Sequence, residues 1–244
     1  MLSNIRNAFR QEFQSSSWVT DEDRRIAIGK LANIRAYVGS PGQRLAPDSV
    51  ERLYKSYPDV PTNSLFPSWI KAVGVSAHQL WADQKTWIYD ETDVNAYYAL
   101  GDNTLSIPTA IIARPVYSQG GVEALNYGGL GAERQKARQE LSNYHDSENL
   151  ADVVGVKIAY GGFSSLPRRQ RRRILFGTNI SAERLYFIGH CVKWCKDIQF
   201  GSGRYAQERS RCIVPLMNMP EFSDAFGCAA GDLMNPAERC GFWT

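Results

Sequence analysis

Apolar side chains recur with helical spacing through the first third of the chain. Residues 2–16 predict an amphipathic helix, whose apolar stripe is formed by Ile5, Ala8, Phe9 and Phe13. Two more such segments lie at about residues 48–57 and 64–81, and Pro58 separates them. No residue in these segments suggests catalytic chemistry, and His78 is interpreted as a residue of the helix surface or its boundary.

Between these segments, Thr20 is a typical helix start, because Asp23 follows it three residues later and acids fill the first turn. The predicted helix ends at residues 40–42, Ser-Pro-Gly. Its apolar face consists of Ala27, Leu31, Ile34 and Val38. The first 85 residues are therefore predicted to be helical.

The pattern changes at Val94. Residues 94–98 and 104–107 have strand-like composition, and Gly-Asp-Asn at residues 101–103 predicts the turn between them. Helical patterns return at about residues 132–141, at 148–160 up to Gly161-Gly162, and from Ser181 to about Ile198. The buried stripe predicted for that last helix is Leu185, Ile188, Val192 and Cys195. The fold class is mainly α with a small β-sheet, that is, α+β.

Two carboxylates, Glu148 and Asp152, lie four residues apart in the segment Ser-Glu-Asn-Leu-Ala-Asp. On a helix this spacing places both on one face. The neighbouring residues are apolar, and a buried carboxylate is costly without a cation or hydrogen-bond donors. The pattern therefore indicates a metal, a basic partner or catalysis, unless both acids lie on a solvated helix edge.

Glycines cluster at Gly128, Gly129 and Gly131, which favours close backbone approach or a tight entry into a helix. A phosphate cradle is disfavoured, because neither G-x-G-x-x-G nor a following Lys-Ser/Thr pair is present. The arginine-rich run at residues 168–173 is interpreted as a solvated loop rather than as a nuclear signal, a nucleic-acid patch or a processing site.

Composition adds limits. The chain is 43% hydrophobic and 22% charged, and its net charge of +3 is too small to argue for a nucleic-acid partner. No run of about 18 apolar residues predicts a membrane span, and the N-terminus lacks the apolar core of a secretory signal. The oligomeric state is not predicted.

Cysteines and histidines are few. The five cysteines leave at least one free or paired outside the chain. Cys191 and Cys195, four residues apart on one helix, are poorly placed to pair with each other. A zinc site from Cys191, Cys195 and Cys212 is a minor alternative. His190 is interpreted as a core or boundary histidine.

Five motifs occur in the order seen in neprilysin-type zinc metalloendopeptidases, which include the endothelin-converting enzymes. They are residues 94–98 (VNAYY), 125–131 (LNYGGLG), 147–152 (SENLAD), 192–195 (VKWC) and the tail from Asn218 to Trp243. The chain resembles this family over nearly its whole length. The resemblance implies that residues 1–90 are the end of a helical non-catalytic region and that residues 91–244 form a partial thermolysin-like peptidase region.

The resemblance also implies roles for single residues. Asn95 and Ala96 correspond to an edge strand that binds substrate backbone by strand addition. Glu148 corresponds to a zinc ligand, and Asp152 to the acid that orients a zinc-bound histidine. Arg211 corresponds to an arginine that binds a substrate carbonyl or carboxylate. Three cysteines match family positions, and at least some of their partners are expected in the N-terminal part of the family sequence that this chain lacks; they are Cys195, Cys228 and Cys240.

The departures decide what function to expect. The family's H-E-x-x-H, which supplies two zinc ligands and the water-activating Glu, is missing. Tyr205 stands where the family has its transition-state-stabilising histidine, six residues before Arg211. Several dozen residues between the glycines and Glu148 are also missing. His145 with Glu148 and Asp152 is a weak potential metal site.

Three functions follow as hypotheses. The favoured one is a catalytically inactive homologue that binds no zinc and retains peptide binding. The second is an active zinc metalloendopeptidase with a rebuilt site. The third is an incomplete, unstable gene product without a function of its own, because losing the zinc helix would expose its apolar partners. Peptides are the expected partners. Localisation is undecided, since the family is extracellular or membrane-anchored but no export signal or anchor is visible here.

Overall fold

Helices dominate the described part of the chain. The structure is a computed structural model that describes residues 1–40, 46–57, 64–82, 89–131, 146–195 and 206–243. The helices are α1 (Leu2–Ser15), α2 (Asp21–Ala32), α3 (Pro47–Tyr54), α4 (Leu65–Ala82), α5 (Glu123–Asn126), α6 (Asp146–Ser164), α7 (Arg168–Arg171), α8 (Ala182–Val192), α9 (Glu208–Met217) and α10 (Pro220–Phe226). The strands are β1 (Arg35–Val38), β2 (Tyr97–Ala99) and β3 (Thr104–Ile107). The predicted mainly helical fold with a small sheet is confirmed.

The sheet contains one strand that the sequence pattern missed. Its order is β1-β3-β2, with β1 parallel to β3 and β2 antiparallel to it. The predicted hairpin is confirmed, and Asn103 adopts the left-handed φ of 50° that its turn requires. The prediction that α2 continues through Val38 is wrong. The helix ends at Ala32, and residues 35–38 instead pair with β3, a partner 69 positions away in register.

Helix α2 begins as predicted. The Thr20 hydroxyl accepts a hydrogen bond from the Asp23 backbone N–H at 3.2 Å, and three acids occupy the first turn. The end of α2 is fixed by the hairpin, because the Asn103 side chain donates to the Lys30 carbonyl at 2.9 Å. This contact helps to end the helix, and β1 begins three residues later.

Helix α6 is the central element, and α1 crosses it closely. The prediction that α6 ends at Gly161-Gly162 is wrong, since it continues to Ser164. The reason is packing: a Cβ at Gly161 would lie 3.1 Å from Ala8, and one at Gly162 would lie 3.1 Å from Ile5. The two glycines admit α1 instead of ending the helix.

The main core lies between α6, α8 and the segment from Glu123 to Gly131. Tyr186 is fully buried, stacks on Phe163 at 5.6 Å between ring centroids, and donates to the Val156 carbonyl at 2.7 Å. Helix α8 starts at the predicted cap, Ser181. Its predicted buried stripe is wrong in part. Leu185 is buried, but Ile188 and Cys195 are exposed, because α8 also turns its aromatic residues towards α6.

The glycine cluster permits backbone-to-backbone contact. A Cβ at Gly128 would lie 2.0 Å from the Tyr186 carbonyl oxygen, and one at Gly129 would lie 2.2 Å from the Val116 carbonyl oxygen. The close-approach interpretation is confirmed. These glycines lie in a largely buried π-helical turn, Tyr127–Gly131, which is packed between the backbone at Tyr186 and the backbone at Val116.

The C-terminal tail packs back on α1. Trp243 is 6% exposed and meets the rings of Phe9 and Phe13 edge-on at 5.8 and 5.1 Å. Residues from both predicted regions, 1–90 and 91–244, thus share a sheet and a core, while their division at residue 90 stays a prediction. None of the described helices combines the length and apolar character that a membrane span needs.

Candidate functional site

Helix α6 carries both predicted acids on successive turns. Asp152 is buried, with 5% of its side chain exposed. Glu148 lies one turn earlier on the same helix, and its side chain is outside the described part of the structure. His145 and Tyr205 also lie outside the described residues. Asp152 is therefore the described centre of the site.

Arg211 neutralises this buried carboxylate. It lies on α9, 59 residues after Asp152, and its Nε donates to Oδ2 at 2.9 Å while Nη2 donates to Oδ1 at 3.3 Å. Only 11% of the Arg211 side chain is exposed. This two-point contact gives the buried charge the cation and the donors that its burial requires. The structure thus joins two residues to which the family resemblance gives separate roles.

Trp194 forms the other wall around Arg211. The centre of the guanidinium lies 3.8 Å from the centroid of the Trp194 ring, a cation–π contact. The Lys193 ammonium lies 5.0 Å from the same centroid. The Arg211 side chain is thus held between a carboxylate and an indole. A planar guanidinium suits both surfaces, which an ammonium would not.

His190 supports the backbone beneath Arg211. Its Nε2 lies 3.4 Å from the Arg211 carbonyl oxygen, and because a carbonyl can only accept, Nε2 carries the proton. Nδ1 has no hydrogen-bond partner among the described residues. Burial, followed by the nearby Lys193 charge, lowers the pKa of His190 to about 3. His190 is therefore a neutral core residue at physiological pH, as its interpretation as a core histidine proposed.

A disulfide joins the chain next to these residues. Cys191 and Cys212 are bonded, with their Cα atoms 5.0 Å apart. The alternative zinc site of Cys191, Cys195 and Cys212 is therefore wrong, since a disulfide sulfur is not a thiolate ligand. Cys195, Cys228 and Cys240 are free within the described chain. No signal in the sequence distinguished the bonded pair, whose members lie 21 residues apart.

Strand β2 lies at an edge of the described sheet, next to the predicted peptide-binding residues. Strand β2 pairs only with β3 among the described strands, which leaves its other side without a strand neighbour there. Asn95 and Ala96 directly precede β2, and the Asn95 side chain accepts from the Ala96 N–H at 3.0 Å. Ala96 itself is buried, at 3% exposure.

An apolar cavity lies between this edge and α6. Its volume is about 410 Å³, and Ala96 and Ala151 both contribute to its wall. Ala151 is the neighbour of Asp152, so the cavity separates the predicted edge from the described acid. The remaining described wall is almost entirely apolar and includes Ile5, Leu105 and Ile158.

The comparisons with known proteins point to one group. The sequence model of peptidase family M13 matches residues 133–242. Neprilysin-1 of Trittame loki is 28% identical over 315 residues, covering 100% of this chain and 43% of that protein. The endothelin-converting enzyme homolog of Locusta migratoria is 27% identical over 305 residues, covering 100% of this chain and 42% of that protein. These matches confirm the predicted resemblance to the neprilysin and endothelin-converting enzyme family.

A solved structure agrees on the fold. The zinc metalloprotease of Mycobacterium tuberculosis, solved with an inhibitor, superposes with a TM-score of 0.72 at 18% identity, covering 100% of this chain and 46% of that one. The present chain therefore has the architecture of part of a peptidase domain. It spans less than half the length of the relatives that it matches.

The M13 family is zinc-dependent, and the side chain of Glu148, the zinc ligand that the resemblance implies, lies outside the described part of the structure. Both oxygens of Asp152 accept hydrogen bonds from the Arg211 guanidinium. No group of three histidine, cysteine or acidic residues with metal-site geometry occurs within the described ranges.

Proposed function

We propose that this chain is a neprilysin-family homologue that does not hydrolyse peptides and that retains peptide binding at the β2 edge. The observation that carries the first part is the buried Asp152–Arg211 pair. In this pair, the acid that would orient a zinc ligand and the arginine that would bind substrate form an ion pair with each other. Neither residue then serves the chemistry that the family resemblance implies for it.

The sequence supports the same conclusion. Hydrolysis at a zinc site of this kind needs a metal-bound water, a base that activates it and a group that stabilises the oxyanion. The chain contains only His78, His145 and His190, and no H-E-x-x-H motif. The alignment with the Trittame loki protein extends over 315 residues, whereas this chain has 244, so that relative carries residues with no counterpart here.

The apolar cavity supports the proposal that a helix of the peptidase core is missing from this chain. The cavity has a volume of about 410 Å³ and an almost entirely apolar lining. The cavity lies between the edge strand and α6, next to the end of the glycine turn at Gly131. Loss of a helix from a peptidase core would leave apolar walls of this kind.

Peptide binding is proposed for the edge of β2. An open strand edge offers backbone donors and acceptors to an extended peptide, which adds as a further strand. The Asn95 side chain already accepts the Ala96 N–H, so a carbonyl of an incoming peptide would replace this amide oxygen. We expect the affinity for peptides to be modest, because the edge is short and the Asn95 side chain competes with the peptide for the Ala96 N–H.

Elemental analysis and a peptide assay test the two parts separately. We expect much less than one zinc per chain and no cleavage of a mixed fluorogenic peptide pool, with or without added zinc. One zinc per chain that is lost in Glu148→Gln, together with chelator-sensitive cleavage, would overturn the proposed inactivity and favour the rebuilt peptidase.

Anisotropy with labelled, non-cleavable peptides tests binding. We expect saturable peptide binding to the wild-type chain and a different peptide affinity in Asn95→Ala, because this substitution removes the side-chain acceptor of the Ala96 N–H at the strand edge. Asn33→Ala is the matched control, since the Asn33 side chain donates to the Gly29 carbonyl at the end of α2. Equal affinity in all three proteins would contradict binding at this edge.

A further inference from the structure

The Cys191–Cys212 disulfide lies against the residues that hold Arg211. Cys191 directly follows His190, and Cys212 directly follows Arg211. The two neighbours are linked in turn by the contact between His190 Nε2 and the Arg211 carbonyl oxygen at 3.4 Å. One covalent bond and one hydrogen bond therefore join the end of α8 to the first turn of α9 at the same place.

The position of Arg211 depends on both helices. Its backbone belongs to α9, but the indole beneath its guanidinium is Trp194, three residues after Cys191 at the end of α8. Its charge partner, Asp152, lies on α6. A change in the spacing of α8 and α9 therefore moves the guanidinium relative to its indole and its carboxylate together.

We propose that the Cys191–Cys212 disulfide is a redox-sensitive clamp that sets the strength of the Asp152–Arg211 ion pair. In the oxidised chain the clamp fixes Arg211 over Asp152. A dithiol reductant converts the cystine to two thiols by transferring two electrons and two protons, and becomes a cyclic disulfide itself. Reduction removes the covalent link between the end of α8 and α9, while the His190 contact and the Trp194 stacking remain.

The consequence of reduction is a looser Arg211. The bidentate geometry needs two atoms of the guanidinium within hydrogen-bond distance of two oxygens, so a small shift of α9 weakens both contacts. A released guanidinium can bind the carbonyl or carboxylate of a peptide. This last consequence rests on the proposed peptide binding, whereas the clamp itself does not.

A double-mutant cycle tests the clamp. Urea unfolding is compared for the wild-type chain, Asp152→Asn, the Cys191→Ser/Cys212→Ser double variant and the triple combination, all in a Cys195→Ser background that removes the nearby exposed thiol. In the disulfide-bonded protein we expect Asp152→Asn to lower the folding equilibrium constant about 100-fold or more. Without the disulfide, we expect the factor by which Asp152→Asn lowers the folding equilibrium constant to be smaller by at least about 10-fold.

A control ion pair separates coupling from general destabilisation. Glu12 and Lys157 lie 3.9 Å apart between α1 and α6, and both are partly exposed. Glu12→Gln is expected to have the same small effect with and without the disulfide. Equal effects of Asp152→Asn in both backgrounds, within about twofold, would overturn the proposal.

A second readout reports Arg211 directly. Modification by phenylglyoxal, mapped by mass spectrometry at pH 7, is expected to be at least about 10-fold faster at Arg211 after reduction of the folded protein. Arg168, which is exposed, is the reference and should be unchanged. If the reduced wild-type chain unfolds altogether, the disulfide is a general staple and the clamp is refuted.

Discussion

Removing the charge of Arg211 is the most informative single perturbation, because it leaves Asp152 buried without its cation. Asp152 has 5% of its side chain exposed, and two hydrogen bonds of 2.9 and 3.3 Å are lost. Removing one partner of a buried ion pair costs about 3–5 kcal/mol. The stacking on Trp194 contributes about 1 kcal/mol more. We expect Arg211→Gln to lower the free energy of unfolding by about 3–5 kcal/mol, which includes partial rescue by entering water.

The double variant Asp152→Asn/Arg211→Gln is the matched comparison, since it removes both charges. Replacing a buried pair as a whole is often close to neutral, so we expect it to be more stable than Arg211→Gln by at least about 2 kcal/mol. Both values come from urea unfolding at pH 7, followed by circular dichroism. A cost below about 1 kcal/mol for Arg211→Gln, or a double variant no better than the single one, would refute the role of Arg211 as the cation of this site.

Three further predictions concern the core. The free energy of unfolding of the wild-type chain should fall by up to about 1.4 kcal/mol per pH unit below pH 6.5, because His190 takes up a proton in the unfolded state but, with a pKa of about 3, not in the folded state. In His190→Gln, the free energy of unfolding measured in urea should therefore depend less on pH between pH 7.5 and 5. Trp243→Ala should cost about 3–5 kcal/mol, and Phe176→Ala, fully exposed, less than about 0.5 kcal/mol, measured by chemical denaturation. Gly128→Ala should prevent folding, judged by circular dichroism, whereas Gly29→Ala, with open space around it, should stabilise α2 by about 0.5–1 kcal/mol.

Each of these three has an outcome that contradicts it. An unchanged pH profile in His190→Gln would mean that other groups titrate in that range. A mild Trp243→Ala would mean that the C-terminal tail is not part of the core. A well-folded Gly128→Ala would show that the backbone contact with Tyr186 relaxes more easily than its geometry implies.

Local signals were read correctly from the sequence. The cap at Thr20, the cap at Ser181 and the turn before Asn103 each depend on a few adjacent residues, and all three occur where predicted. Strand β1 was missed, because Ile34 and Val38 also fit the spacing of a helix face. Only pairing with β3, far along the chain, makes residues 35–38 a strand.

The site shows the same limit more sharply. The pattern around Glu148 and Asp152 predicted a buried acid in need of a cation, and burial of Asp152 is observed. The identity of that cation depends on a contact across 59 residues, and the disulfide beside it on one across 21. No periodicity encodes such pairings. The family resemblance assigned Asp152 and Arg211 to different tasks, and so did not indicate that they meet.

The pairing of these two residues bears on the stability of the chain. A buried carboxylate without a cation is among the most costly defects in a protein interior. In a zinc site the metal and its histidines would offset that charge. Here the Arg211 guanidinium does so, and Trp194 and the Cys191–Cys212 disulfide lie beside it. The contact between Arg211 and Asp152 therefore removes the main electrostatic reason for expecting the chain to be unstable.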